Sequence, residues 1–426
     1  MKKRMAKLMA ALMCVMTVAA FMPVLSYAES AQSAEVYCTI SCKGELVVAD
    51  KAITVTDVNK NGKLDIDDTL TIAHKQYYPG ENGYESEVKD WGLSITKLWG
   101  DTSGWFMFYD NNQMVMSDLS YEVKTGDLLT AFTYSDQDEH SDKYTFFDQQ
   151  NLVVKKGESV TLTMSASYWD ENFSPVTTVY SGATVFCRNG EDTVNLGTTD
   201  EEGKITFPVN EEGIYEVSAI AADSDFIVKP ICLINVYTEE SVDAQAKTLM
   251  DGAVIKTTST YNSATVSWTA NKKASGYQIS ANGKNWTDLK KVTSKKYTGL
   301  KTGTSYRYYV RGYVTVADYT AYSPAKTVTV KPALTKAKLS SVTAGSKKFT
   351  AKWKKVSGAN GYRVYYKVSG KKAKYKTVKS PKTLKTTVKK LSKNKKCTVK
   401  VQAYRNVDGK KVYGPWSTSK KVKIKK

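Results

Sequence analysis

The stretch DVNKNGKLDIDD, Asp57 to Asp68, places side-chain oxygens at its first, third, fifth, ninth and twelfth positions: Asp57, Asn59, Asn61, Asp65 and Asp68. Gly62 stands at the sixth, and Lys63 at the seventh can contribute only its backbone carbonyl. A hard divalent cation held on one short loop needs this many oxygens and a sharp turn at the sixth place, and calcium is the ion the spacing fits. The competing reading is a turn, because Asn61-Gly62 is also a hairpin signal and the acids around it could simply be solvated. Six matches at fixed spacing, with a helical pattern beginning at once, favour a calcium site that stiffens the fold and performs no chemistry.

Other residue types offer less. The two histidines, His74 in a helical stretch and His140 in DQDEHSD, lie in no motif that sets a base on a nucleophile. The run YSDQDEHSD reads as a solvated acidic loop, whereas glycoside hydrolysis needs two carboxyls facing each other across a cleft. The expectation is therefore a protein that is not an enzyme, with an unrecognised hydrolase as the outlying alternative. Cys14 falls in an N-terminal apolar run, leaving five cysteines spread over the rest of the chain, too sparse for a disulfide framework. Cys38 and Cys42 alternate with Val36 and Ile40 and are too far apart along a strand to bridge, while Cys187 and Cys232 could pair across one sandwich.

The elements that must hold the loop are legible around it. DDTLTIAHKQYY sets Leu70, Ala73 and Tyr77 on one helical face, opened by Asp67 and Asp68 and closed by Pro79-Gly80. An Asp at the twelfth place and a helix only on the C-terminal side make the loop resemble the dockerin version of an EF-hand. Dockerins carry two such loops and this chain carries one, so a cellulosomal dockerin is not implied. WGDTSGWFMFYDNN and YEVKTGDLLTAFTY are similar to the β-grasp family related to the carboxyl-terminal domain of transcobalamin, although Asp110-Asn111-Asn112 replaces that family's usual Val-Asn-Gly turn. The resemblance implies binding of a soluble ligand, such as a corrinoid, without naming one.

Residues 1–28 read as a signal peptide: a basic start, an apolar run and Ser26-Tyr27-Ala28 for cleavage. No lipid anchor or membrane span is expected after it, so the expectation is a secreted protein, extracellular or associated with the cell wall. The overall +20 conceals a division. Residues 29–238 carry 14 basic and 35 acidic side chains, residues 239–333 carry 14 and 6, and residues 334–426 carry 30 and one.

The C-terminal part repeats itself. ATVSWTANKKASGYQIS matches FTAKWKKVSGANGYRVYY, aligning Trp268 with Trp353 and Tyr277 with Tyr362, and the second copy carries six extra residues before its later strands. Both copies resemble fibronectin type III domains. GLKTGTSY is close to that family's tyrosine corner, with Tyr306 as the corner residue and Cys397 at the matching place in the second copy. Upstream, VVKKGESVTLTMSAS alternates Val160, Leu162 and Met164 as a half-buried strand does, and residues 151–238 resemble bacterial immunoglobulin-like repeats.

The expected fold class is thus mainly β and multidomain: a β-grasp-like α+β head over 34–150, then β-sandwiches over 151–238, 239–333 and 334–426. The expected function is adhesion or binding, with the cationic last domain holding anionic cell-wall polymers or glycans. The head is left to bind a small soluble ligand, a carbohydrate or a protein partner. Export argues against nucleic acid.

Overall fold

The computed structural model describes residues 33–426 other than 173, 191 and 222–224; the signal-peptide reading of 1–28 lies outside the described residues. The chain forms two compact units, one running to Ser241 and including Val316–Tyr319, the other comprising Val242–Thr315 and Thr320–Lys426. Among the described residues no helix is long and apolar enough to cross a membrane.

The first unit begins with a hairpin of β1 (Ser33–Cys42) and β2 (Glu45–Thr56), turned by Lys43 and Gly44, both at positive φ as a two-residue hairpin loop requires. The loop 57–65 leads into α1 (Ile66–Tyr77), and β3 (Glu85–Lys89) pairs with β4 (Gly92–Lys97) as a separate ribbon. After β5 (Phe106–Asp110) and β6 (Gln113–Met114), β7 (Leu128–Thr133) returns parallel to β1, giving the sheet order β2-β1-β7-β5-β6. A central parallel pair flanked by two hairpins, with one helix over the sheet, is the β-grasp arrangement. Val36, Cys38, Ile40, Ile53 and Leu129 meet Ile66, Leu70 and Ala73 of α1 in the core. Tyr77, expected on that face, is exposed at the helix end, and His74 takes the buried place.

A sandwich follows in the same unit. Its sheets contain β8 (Lys143–Phe147), β10 (Ser159–Trp169), β11 (Pro175–Val179), β14 (Lys204–Pro208) and β16 (Ile227–Val228) on one side. On the other lie β9 (Asn151–Lys155), β12 (Thr184–Asn189), β13 (Asp192–Thr198), β15 (Gly213–Ile220) and β17 (Ile231–Tyr237). The N-terminal edge switches sheets, β8 pairing antiparallel with β10 and β9 parallel with β17, as in immunoglobulin-like domains. Consequently Lys143–Phe147, on the N-terminal side of the boundary at 150, is hydrogen-bonded into the sandwich. Val160, Leu162 and Met164 alternate into its core.

Cys187 and Cys232 do not form a disulfide; all cysteines among the described residues are free. Both are register partners of Val217 on β15, so they lie in one sheet two strands apart, about 9.5 Å. That exceeds the reach of a disulfide, and both thiols stay buried as small apolar groups.

The helix α2 (Glu239–Thr248) begins in the last residues of the first unit and continues into the second, and the Thr238 hydroxyl just before it accepts from the Ser241 N–H at 3.1 Å. The second unit's first sandwich sets β18 (Ile255–Ser259), β19 (Ala264–Trp268) and β22 (Ser294–Tyr297) against β20 (Gly276–Ser280), β21 (Thr287–Asp288), β23 (Tyr306–Val316), β24 (Tyr319–Tyr322) and β25 (Lys326–Val330). The second repeats the order: β26 (Leu339–Gly345), β27 (Lys348–Trp353) and β30 (Lys385–Val388) against β28 (Gly361–Val368), β29 (Lys374–Val378), β31 (Lys396–Val407), β32 (Lys410–Tyr413) and β33 (Lys420–Lys423). Three strands against a sheet of four or five is the fibronectin type III order. Trp268 and Trp353 are buried, with ring centroids 5.7 and 5.3 Å from Tyr277 and Tyr362. The Tyr306 hydroxyl accepts from the Lys301 N–H at 2.8 Å, closing the corner, whereas Cys397 is buried without an equivalent bond.

Candidate functional site

The loop Asp57 to Asp68 joins a strand to a helix, so it is not the turn of a hairpin. Asp65 caps α1: its Oδ1 accepts from the Asp68 N–H at 2.9 Å while Asp68 Oδ2 accepts from the Asp65 N–H at 3.4 Å. The other Asp68 oxygen takes the N–H groups of Val58 and Asn59 at 2.9 and 3.1 Å. Asp57 closes the opposite side, accepting from Asn61 and Gly62 N–H, each at 3.0 Å. Lys60 and Gly62, both at positive φ, supply the sharp bend.

Inside this ring of backbone bonds the asparagines reach for acids. Asn61 Nδ2 donates to Asp65 Oδ2 at 2.6 Å, and Asn59 Nδ2 lies 3.3 Å from the same oxygen and 3.2 Å from Asp67 Oδ2. Lys63 pairs through its ammonium with Glu122 at 3.1 Å. Among the described residues no three His, Cys, Asp or Glu side chains converge on a metal position. What converges is a mixed set, Asn59, Asn61, Asp65 and Asp68, with Asp57 at the loop entrance. Burial raises the Asp68 carboxyl above its ordinary value, against the N–H groups of Asn59 and Val58 that lower it. Asp67, outside the spacing rule, also accepts from the Tyr84 hydroxyl at 2.8 Å. That tie is invisible in sequence because it depends on where the chain returns.

Further along α1, a cavity of about 390 Å³ is lined by Thr71, His74, Lys75, Tyr78, Tyr84 and the 80–83 turn. His74 shows how little base chemistry it offers. Nδ1 lies 2.7 Å from the Leu70 carbonyl, to which it donates, and Nε2 accepts from the Trp99 N–H at 3.0 Å. Burial pulls its pKa down to about 4, so the ring is neutral with both nitrogens committed. His140 sits between Trp105 and Tyr134, at 4.5 and 5.2 Å, with no triad around it.

The lysines of 334–426 stand on the strand faces and turns that water reaches, Lys371, Lys372, Lys374, Lys389, Lys393 and Lys395 among them. Asp408 is the region's single acid.

Strand order and site together define a modular, mainly β protein: a β-grasp head with an oxygen-rich loop, an immunoglobulin-like sandwich and two fibronectin type III sandwiches. No protein-family model and no curated protein matches the chain. Among solved structures it is similar to a two-domain fibronectin type III segment of chicken tenascin, at 16% identity over 40% of this chain and 97% of that one, TM-score 0.27. It is also similar to the FN1–FN3 domains of chicken CNTN1, at 14% identity over 67% and 100%, TM-score 0.22. A third likeness is to the chicken interferon gamma receptor alpha chain, at 10% identity over 40% and 97%, TM-score 0.30.

Proposed function

We propose that the chain is a secreted or wall-associated bacterial binding protein without catalytic activity, held at the cell surface by its last sandwich through attraction to anionic wall polymers or glycans. The observation that carries this reading is the charge of residues 334–426, 30 basic side chains against one acidic, displayed on exposed faces of a folded domain. Such a field attracts polyanions. Lysine point charges, with Arg363 and Arg405 as the only arginines there, favour attraction of low specificity over forked recognition of one anion. The full chain should bind purified walls at low salt and be released as salt rises toward ~1 M, because exposed charges are screened within about 8 Å at physiological ionic strength. Changing Lys389, Lys393 and Lys395 to Glu should lower the salt needed for release. Binding that survives high salt unchanged, or that persists fully in the Glu variant, would refute the electrostatic anchor.

In the same proposal the 57–68 loop takes a structural calcium ion, held by Asp57, Asn59, Asn61, the Lys63 carbonyl, Asp65 and Asp68. An asparagine amide presents oxygen as readily as nitrogen after rotation, so the donor set suits a hard cation. The cavity beside Tyr78 and Tyr84 supports a second reading, in which the head captures a small soluble ligand; the resemblance to the transcobalamin-related β-grasp family points the same way. Mass spectrometry of small molecules retained by the purified full chain tests it.

A further inference from the structure

The two fibronectin type III sandwiches differ most at one place. From the start of β20 to the start of β22 the chain runs Gly276 to Ser294; from β28 to β30 it runs Gly361 to Lys385. The six extra residues of the second copy therefore fall in this hairpin, lengthening its strands from 5 and 2 residues to 8 and 5. They broaden one outward sheet face. In register across it, Tyr375 opposes Tyr365 and Tyr365 opposes Lys400, while Arg363 opposes Gln402 in the next outward row.

Rings and cations alternate there. Arg363 lies 4.9, 3.9 and 5.4 Å from the ring centres of Tyr375, Tyr413 and Trp416, and Lys400 lies 4.7 and 4.8 Å from those of Tyr365 and Trp416. Tyr375 is 55% exposed. In the first copy the same slot holds the same pair with strands exchanged, and it is closed: Arg311 Nε and a terminal nitrogen donate to Gln278 Oε1 at 3.0 and 2.7 Å. Asp288 stands opposite Gln278 and accepts from the Tyr313 hydroxyl at 3.1 Å. In the second copy Arg363 again faces Gln402, whose amide by rotation presents its oxygen to Arg363 as in the first copy, but Thr377 stands opposite Arg363 where the first copy has Asp288 opposite Gln278. The domain's single acid, Asp408, pairs with Lys301, which leaves Arg363 and Lys400 without a carboxylate of the chain to neutralise them.

We propose that this face binds an acidic sugar chain, pyranose rings lying on Tyr365, Tyr375 and Trp416 with their carboxylates at Arg363 and Lys400. The proposal rests on the reading of this domain as a polyanion binder and adds a salt-resistant, sugar-specific component to it. The ring arrangement selects the ligand class. Tyr365 meets Tyr375 and Trp416 edge to face, at 68° and 72°, and Tyr375 and Trp416 are tilted by 34° with centroids 6.3 Å apart, so the rings form small plates between cations and not one parallel stack. A pyranose covers one plate and carries its charge at the rim. A run of nucleic-acid bases instead wants rings on which successive bases can stack.

The test uses the full chain, polygalacturonate as the acidic sugar, and polyphosphate, dextran and single-stranded DNA as comparisons. Polygalacturonate binding should persist at a salt concentration that abolishes polyphosphate binding, and dextran should not bind. Tyr375→Ala and Lys400→Gln, both on the surface, should each weaken polygalacturonate binding by about tenfold and leave polyphosphate within about twofold, while Tyr375→Phe stays near the wild type. Equal loss of both polymers with salt, or a Tyr375→Ala variant that binds polygalacturonate normally, overturns the sugar face while leaving the electrostatic anchor standing. DNA binding that is salt-resistant and Tyr375-dependent overturns it in favour of bases. If no polyanion binds even at low salt, the anchor fails and the sugar face fails with it.

Discussion

The head and the last sandwich put their polar chemistry in opposite places. In the head, Asp65, Asp68, His74 and Asp50 are buried; the side chains of the first three are met by backbone N–H or carbonyl groups, while the Asp50 carboxyl keeps one buried oxygen without a hydrogen bond. In residues 334–426 the interior is apolar around Phe349, Trp353 and Tyr362, and the charge stands outside. The difference teaches which variable each region answers to. Buried ionisable groups change the folding equilibrium with pH, whereas exposed charges act on partners and yield to salt.

The largest effect should come from breaking the apolar side of that contrast. Trp353→Ala, like Trp268→Ala in the first copy, should cost about 3–5 kcal/mol, enough to unfold the sandwich concerned. Hydrogen exchange of the full chain should show that loss in the mutated sandwich while the head stays protected. A tolerated Trp353→Ala would mean the lysine-rich copy does not depend on its core.

Next in size is pH. His74 is held near 4 against an ordinary 6.5, so its folded form favours the neutral ring. Its contribution is complete above 6.5 and is lost as pH falls from there through 4, amounting to about 3 kcal/mol. Asp50, pushed up to about 6 by burial, works oppositely: its contribution is present below 3.8 and is lost as pH rises through about 6. Between pH 7 and 4 the two oppose each other, and Asp110, likewise pushed up to about 6 by burial, adds to the side of Asp50. Protection of β1 and β7 should therefore not fall on acidification in the wild type, whereas Asp50→Asn, which keeps the neutral form at every pH, should shift the head toward a fall relative to the wild type. An Asp50→Asn head with the same pH dependence as the wild type between pH 7 and 4 would erase the contrast with the tail.

Calcium should be worth somewhat less. With a dissociation constant of ~10⁻⁴ to 10⁻³ M, as in extracellular modules, ~10 mM calcium should stabilise the head by about 1.4–2.7 kcal/mol. Differential scanning calorimetry in calcium and in magnesium checks it, and Asp57→Ala should abolish the calcium increment. The smallest effect sharpens the comparison from the other side: changing Lys389, Lys393 and Lys395 to Gln should move stability by under about 0.5 kcal/mol while weakening wall binding.

Much of this could be read from the residues because much of it is local. Trp268 and Trp353 share one repeat position, alternation marked Val160, Leu162 and Met164, and Tyr306 kept its corner bond. What escaped depends on the chain's return. α2 was missed although Thr238 and two glutamates open it, because only Val242 and Ala246 of its ten residues are buried and the apolar period is faint. Whether Cys187 and Cys232 pair stays open in the sequence because spacing cannot say which sheet a strand joins, and the structure leaves both thiols free. The Arg363 and Gln402 row needs register, and the role of Asp67 needs Tyr84 brought back from beyond the helix.

The parallel pairing of β1 with β7 also governs the order of folding. Strand Ser33–Cys42 sits in the middle of its sheet, yet its partner Leu128–Thr133 is synthesised far later, and Asn151–Lys155 likewise waits for Leu233–Tyr237. A chain emerging N-terminus first therefore holds β1 with only its hairpin partner until most of the head is out. Loop closure over such distances slows folding relative to hairpin-built sheets. The head should then be the region most in need of protection as the chain appears, and its acidic surface, which keeps unfolded copies repelling one another, is suited to that interval.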